Sequence, residues 1–272
     1  MTLPRVELRS ADGASAVVFH QGAHVVSWKA AGTEVERLFV SERSGFAPGV
    51  AIRGGIPVIF PQFATEGPLP RHGFARTVDW EHLGNSVADG RATTSFLLED
   101  SAATRAIWSA RFRATLAVSV GGGTLELSLA IDNTGHAPFS FAAALHTYLR
   151  VRDTGLAALH GLSGTRYRES RDPPRLVLDK DAAIRVGGEI DRVYVDAPRR
   201  LELHDGEQVL AIESEGFPDV VVWNPGEKAA ALADMEPGGE RRMICVEAAA
   251  VQVPIQLAPG ARWVGAQSLT TL

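Results

Sequence analysis

Apolar and polar residues alternate with a period of two along most of the chain, the pattern of strands that bury one face. The clearest case runs through Phe112, Leu116 and Val118, crosses Gly121-Gly122-Gly123, and returns through Leu125, Leu127, Leu129 and Ile131. It predicts a β-hairpin. A second hairpin is predicted from Leu201 and Leu203 through Asp205-Gly206 to Val209, Leu210 and Ile212, because Asp-Gly accepts the positive φ angles of a tight turn. Further strands are predicted at Ala16 to Phe19, His24 to Trp28, Thr93 to Leu98, Phe139 to Val151, Arg192 to Val195, Val220 to Trp223, Met243 to Glu247 and Arg262 to Leu269. Only Glu227 to Met235 reads as a short helix, from its run of strong helix formers. Many short strands separated by turn signals predict an all-β sandwich. With no composition break, low-complexity linker or fixed-period repeat, a single domain over residues 1–272 is expected.

Composition narrows the function. The 272 residues are 45% hydrophobic and 22% charged, as in an ordinary globular protein. A net charge of -5 argues against broad nucleic-acid binding, so any anion site must be a local positive pocket on an acidic body. Cys245 is the single cysteine, which excludes an internal disulfide and fits a reducing compartment. The start, MTLPRVELRS, lacks the apolar core of a signal peptide, and no run reaches the roughly 20 apolar residues of a membrane span. A cytoplasmic monomer without membrane partners is expected. The triple glycine is followed by no lysine and no helix pattern, so it reads as a turn and not as a phosphate loop.

Candidate chemistry concentrates between Arg53 and Arg76, in RGGIPVIFPQFATEGPLPRHGFAR. Its prolines and glycines disfavour a plain central strand, and its arginines offer planar donor forks that match phosphate or carboxylate oxygens in pairs. Arg53, Arg71 and Arg76 thus read either as an anion pocket enclosing His72 or as surface ion pairs around a shaped loop. Eight histidines form no HExxH and no Cys/His spacing, so no metal or other cofactor is implied. His20, His24, His82, His136, His160 and His204 read as structural. His146 interrupts the apolar stretch FAAALHTYLRV, where an imidazole must find a partner or carry a desolvation cost. Glu247 does the same in MICVEAAAVQVP: it is either turned to solvent by strand alternation or held in a cavity that raises its pKa towards that of a useful base. Asp191 could accept hydrogen bonds from sugar hydroxyls or pair with Arg192.

In order along the chain, RGGIPVIFPQF, LPRHGFAR, ALHTYLRV, EIDRVYV, VVWNP and MICVEAA resemble the hexose-6-phosphate mutarotases, or glucose-6-phosphate 1-epimerases, of the aldose 1-epimerase superfamily. The resemblance runs from about Gly22 to the strand carrying Glu247. It implies a large antiparallel β-sandwich of the galactose-mutarotase type with a sugar-phosphate cleft on one face. It also implies that His146 and Glu247 are catalytic, that Arg53, Arg76 and Asp191 bind substrate, and that His72 lies near the sugar. Interconversion of hexose 6-phosphate anomers by acid/base ring opening, without a cofactor, is the expected activity. Two positions depart from the family pattern. Arg71 stands where glutamine is common and would strengthen phosphate binding; Gly226 stands where a large aromatic residue is common and would open one wall of the site. The alternatives are a neutral-sugar aldose 1-epimerase, a noncatalytic carbohydrate-binding or sensor protein, and a glycoside hydrolase that pairs Asp191 with Glu247.

Overall fold

The first predicted hairpin forms as read: Phe112–Gly121 pairs with Thr124–Asn133 through a two-residue turn at Gly122-Gly123. Phe112, Ala114, Leu116, Val118 and Val120 are buried in alternation with more exposed neighbours, so the period of two in the sequence becomes the inner face of a sheet. The second hairpin pairs Arg200–Asp205 with Gln208–Glu215. A computed structural model describes residues 3–169 and 174–272, and among these the strands form three antiparallel sheets. The nine-stranded sheet runs in the order Ala183–Ile184, Ala158–His160, Arg200–Asp205, Gln208–Glu215, Arg262–Thr271, Thr124–Asn133, Phe112–Gly121, Arg91–Glu99, Glu81–Ala88. The eight-stranded sheet runs Leu176–Leu178, Arg166–Glu169, Ile190–Val195, Asp219–Asn224, Met243–Leu257, Phe139–Leu145, Val58–Ile59, with Tyr148–Arg150 also paired to Met243–Leu257. Arg5–Arg9, Ser15–Phe19 and His24–Lys29 make the small third sheet.

The core lies between the two large sheets. Leu116, Val118, Leu127, Leu129 and Leu269 from one meet Leu145, Val220, Val222, Val246 and Ala248 from the other, and Val18 and Trp28 join them from the small sheet. This is a sandwich, as the alternation predicts.

Met243–Leu257 decides where the site can be. Its even residues Ile244, Val246 and Ala248 enter the core, which turns Cys245, Glu247 and Ala249 to the opposite face of the sheet. That face is nevertheless buried. Phe63 packs over Val193, Val221 and Ala249, while Phe39, Ala229 and Met235 pack over Met243, Cys245 and Tyr148, so loops roof the outer side of the strands.

Two predicted elements differ. The single strand expected over Phe139 to Val151 is broken at His146-Thr147, where Thr147 N–H donates back to Leu145 O at 2.9 Å and Thr147 Oγ1 to the buried Gln267 at 2.5 Å. The helix expected over Glu227 to Met235 is a 3-10 helix limited to Gly226–Ala231. Asn224 sets its start, since its side-chain oxygen accepts from Gly226 N–H at 2.8 Å. Gly226 itself has φ 51°, and a Cβ there would stand 2.4 Å from Glu189 N. Its smallness serves that close backbone approach. Gly226 does not itself line the cleft described below.

Candidate active site

Strand register carries the predicted residues together. Val221 lies opposite Glu247, Trp223 opposite both Asp191 and Cys245, and Tyr148 opposite Cys245, so Asp191, Val221, Trp223 and Glu247 project from one patch of the outer face. The break after Leu145 swings His146 onto the same patch, held by its N–H to Pro57 O at 3.0 Å and by Tyr148 N–H to Gly55 O at 2.9 Å. The Arg53–Arg76 segment supplies the roof. Only Val58–Ile59 of it is a strand; beyond that, Gln62 bonds Leu69 through both ends of its amide, at 3.0 Å and 2.9 Å, and so closes the loop on itself. The loop returns at Gly73, whose φ of 68° and close approach to Phe60 O leave no space for a Cβ.

One cleft results. Arg53, Arg71, His72, Arg76, His146, Asp191 and Glu247, all the residues singled out in the sequence, line it, with Phe63, Glu66, Trp223 and Leu232 among the others. At its floor His146 Nδ1 stands 3.2 Å from Glu247 Oε1, with the His146 side chain 9% and the Glu247 side chain 1% exposed. The approach is not aligned as a hydrogen bond, and among the described residues neither His146 Nδ1 nor Glu247 Oε2 has another partner. Tyr148 stacks on the imidazole at 4.8 Å and 8°. Burial pulls the His146 pKa well down, helped by His72, Arg76 and Arg53; burial pushes the Glu247 pKa well up, helped by Asp191 and opposed by Arg76. Both shifts favour uncharged forms. Both act against the ion pair that the short distance would allow and favour a neutral pair, with the proton the two groups exchange on the carboxyl group.

His72 is also neutral. Burial and the charges of Arg76, Arg71 and Arg53 draw its pKa down to about 3. Its Nδ1 accepts from Ala64 N–H at 3.2 Å, so the remaining proton is on Nε2. The ring lies 5.6 Å from that of His146.

The three arginines are not equivalent. Arg53 is committed: Nε and Nη2 donate to Asp234 at 3.2 Å each and Nη1 to Tyr148 Oη at 3.1 Å. Among the described residues Arg76 donates one bond, to Arg71 O at 3.3 Å, and its buried Nε has no acceptor. Arg71 is exposed at the rim. Open donors for an anion therefore come mainly from Arg71 and Arg76. Sequence reading missed Tyr148, Trp223 and Asp234. Tyr148 carried a faint signal, two positions from His146; Asp234 carried none, since it lies in the segment that reads as helix.

The sequence model of the aldose 1-epimerase family matches residues 4–270. The chain belongs to the aldose 1-epimerase family. It is thus an isomerase of the epimerase or mutarotase kind. A protein of Cenchrus ciliaris, named a proposed glucose-6-phosphate 1-epimerase, is 36% identical over 99% of this chain and 85% of its own. An Escherichia coli protein with the same name is 36% identical over 84% of this chain and 77% of its own. The crystal structure of a proposed mutarotase, YeaD, from Salmonella typhimurium superposes with a TM-score of 0.85 at 29% identity, covering 99% of this chain and 96% of that one. A galactose mutarotase-like protein from Clostridium acetobutylicum shares the fold at a TM-score of 0.79 and 14% identity, covering 100% of this chain and 99% of that one.

Among the described residues of this epimerase, His146, Cys245 and Glu247 form a group of possible metal ligands, with their donor atoms within 4.8 Å of one another. No described helix is long and apolar enough to cross a membrane.

Proposed function

We propose that this epimerase interconverts the α and β anomers of a hexose 6-phosphate, with glucose 6-phosphate the expected substrate. What carries the reading is that Arg71 and Arg76 line the same cleft as the His146–Glu247 pair, so an anionic tail and an anomeric centre can be held at once. The names of the relatives point the same way.

In this scheme the proton of the neutral pair moves from Glu247 to His146, giving a carboxylate and an imidazolium. The carboxylate takes the proton of the anomeric hydroxyl, the imidazolium gives its proton to the ring oxygen, and the bond from C1 to that oxygen breaks. The open-chain aldehyde rotates about C1–C2 and closes by the reverse transfers on its other face. The pair begins and ends with one proton, and positioned transfers of this kind contribute about 10²- to 10⁴-fold each. His72 Nε2–H and Asp191 face the sugar hydroxyls as donor and acceptor. Arg71 and Arg76 hold the phosphate; Arg53, anchored and largely neutralised by Asp234, forms part of the wall.

Anomer-exchange NMR with purified protein and glucose 6-phosphate tests this. Exchange faster than the spontaneous rate is expected. Saturable binding without faster exchange would mark a sugar-phosphate sensor instead.

A further inference from the structure

The neutral resting pair poses a problem for the reaction, because the acid form of His146 must appear in a cleft already crowded with positive charge. Arg53 and Arg76 face it, and His72, 5.6 Å away, offers an uncharged ring and not a counter-charge. The carboxylates of the cleft are largely engaged elsewhere. Asp234 is bound to Arg53, Glu66 to Arg168 at 2.8 Å, and Asp191 stands beside Glu247, where it disfavours ionisation of that carboxyl group. Arg76 has a buried Nε with no acceptor among the described residues and forms no ion pair with a carboxylate there.

We infer that the anion grip is an activator in its own right: a phosphite dianion held by Arg71 and Arg76 accelerates anomer exchange of an unphosphorylated sugar to which it is not joined. The inference rests on the hexose-phosphate reading above. A dianion there compensates Arg76, which disfavours the imidazolium of His146 and favours the carboxylate of Glu247. Arg53 and His72 also bear on His146 while Asp191 offsets Arg76 at Glu247, so the imidazolium gains more than the carboxylate loses, and the cost of the neutral pair changes little. An interaction that is stronger in the ionic state than in the resting state raises rate as well as affinity. It acts through space, so a covalent link between anion and sugar is not required. The chemistry is unchanged: the anomeric proton goes to Glu247, the His146 proton to the ring oxygen, and phosphite is neither consumed nor altered.

D-xylose is the fitting probe, since its pyranose ring is that of glucose without C6 and leaves the phosphate position free. Exchange between its anomers is followed by NMR at pH 7 with enzyme, with phosphite, and with both, and the enzyme-free phosphite rate is subtracted because phosphite is itself a weak general base. Expected is a saturable acceleration by phosphite of about 10-fold or more, within the usual range of coupling between two sites. Glucose 6-phosphate should suppress it, and Arg71→Gln should shift it to higher phosphite concentration. If glucose 6-phosphate is turned over but phosphite leaves xylose exchange unchanged or slows it, the phosphate is only a tether and the inference falls while the proposed function stands. If glucose 6-phosphate is not turned over either, both fall.

Discussion

His146 Nδ1 lies 3.2 Å from Glu247 Oε1, and the stretch of chain that delivers the imidazole is a strand broken by the buried Thr147–Gln267 bond. The contact thus depends on the sandwich as a whole. Gln267 belongs to the nine-stranded sheet and also donates to Val246 O at 3.1 Å, beside Glu247 in the other sheet.

Glu247→Gln keeps the shape of this buried side chain and removes its proton chemistry. Loss of anomer exchange by about 10²-fold or more is expected, with an unchanged circular dichroism spectrum. The neutral amide also fits the buried position, where the carboxyl group already rests uncharged, so the thermal midpoint at neutral pH should not fall. A variant of ordinary activity would remove Glu247 from the reaction.

Arg71→Gln tests the rim of the cleft. The side chain is exposed, so solvent screening reduces the effect of its charge, and a rise in KM for the phosphosugar of about 10-fold is expected. Exchange of free glucose should be unaffected. An equal loss on both sugars would refute a phosphate role.

Asp234→Asn has the opposite expectation. Asp234 neutralises Arg53 through two 3.2 Å contacts, so removing its charge makes the cleft more positive and should lower KM for the phosphosugar by about 3-fold. A higher KM would show that Asp234 is needed to aim Arg53 or to hold the sugar.

Stability should fall in acid because of buried neutral histidines. Burial holds His24 at about 4 and His72 at about 3, both below the ordinary 6.5, so below 6.5 the unfolded chain binds protons that the folded chain does not. Unfolding free energy then rises with pH through that window and is lost as pH drops below 6.5. The thermal midpoint should decline from pH 6.5 to about 5, and His24→Gln, away from the cleft, should flatten the decline. A midpoint that held or rose on acidification would contradict this.

Much of the fold could be read from alternation, because Phe112–Gly121 and Arg200–Asp205 each bury one face of a regular ladder. Elements without that contrast could not. Glu81–Ala88 is an edge strand exposed nearly throughout, and Ala102–Ile107 is a short helix made by the Ser101–Thr104 capping box more than by any apolar stripe. The site residues were conspicuous as polar groups in apolar or Pro/Gly-rich surroundings, as His146 and Glu247 show. Alternation alone would have turned Glu247 to solvent. Its burial comes from Phe63 and neighbouring loop residues packing over the outer face, a long-range effect with no local signature. The pairing of Arg53 with Asp234 was hidden for the same reason.

The central claim is that one cleft joins a proton-transferring pair to a phosphate grip, and the most direct test is kcat/KM for glucose 6-phosphate against free glucose, both from anomer-exchange NMR on the same preparation. The account predicts a preference of about 10²-fold for the phosphosugar, the worth of one or two charge-assisted contacts. Equal values for the two sugars, or a preference for free glucose, would contradict it.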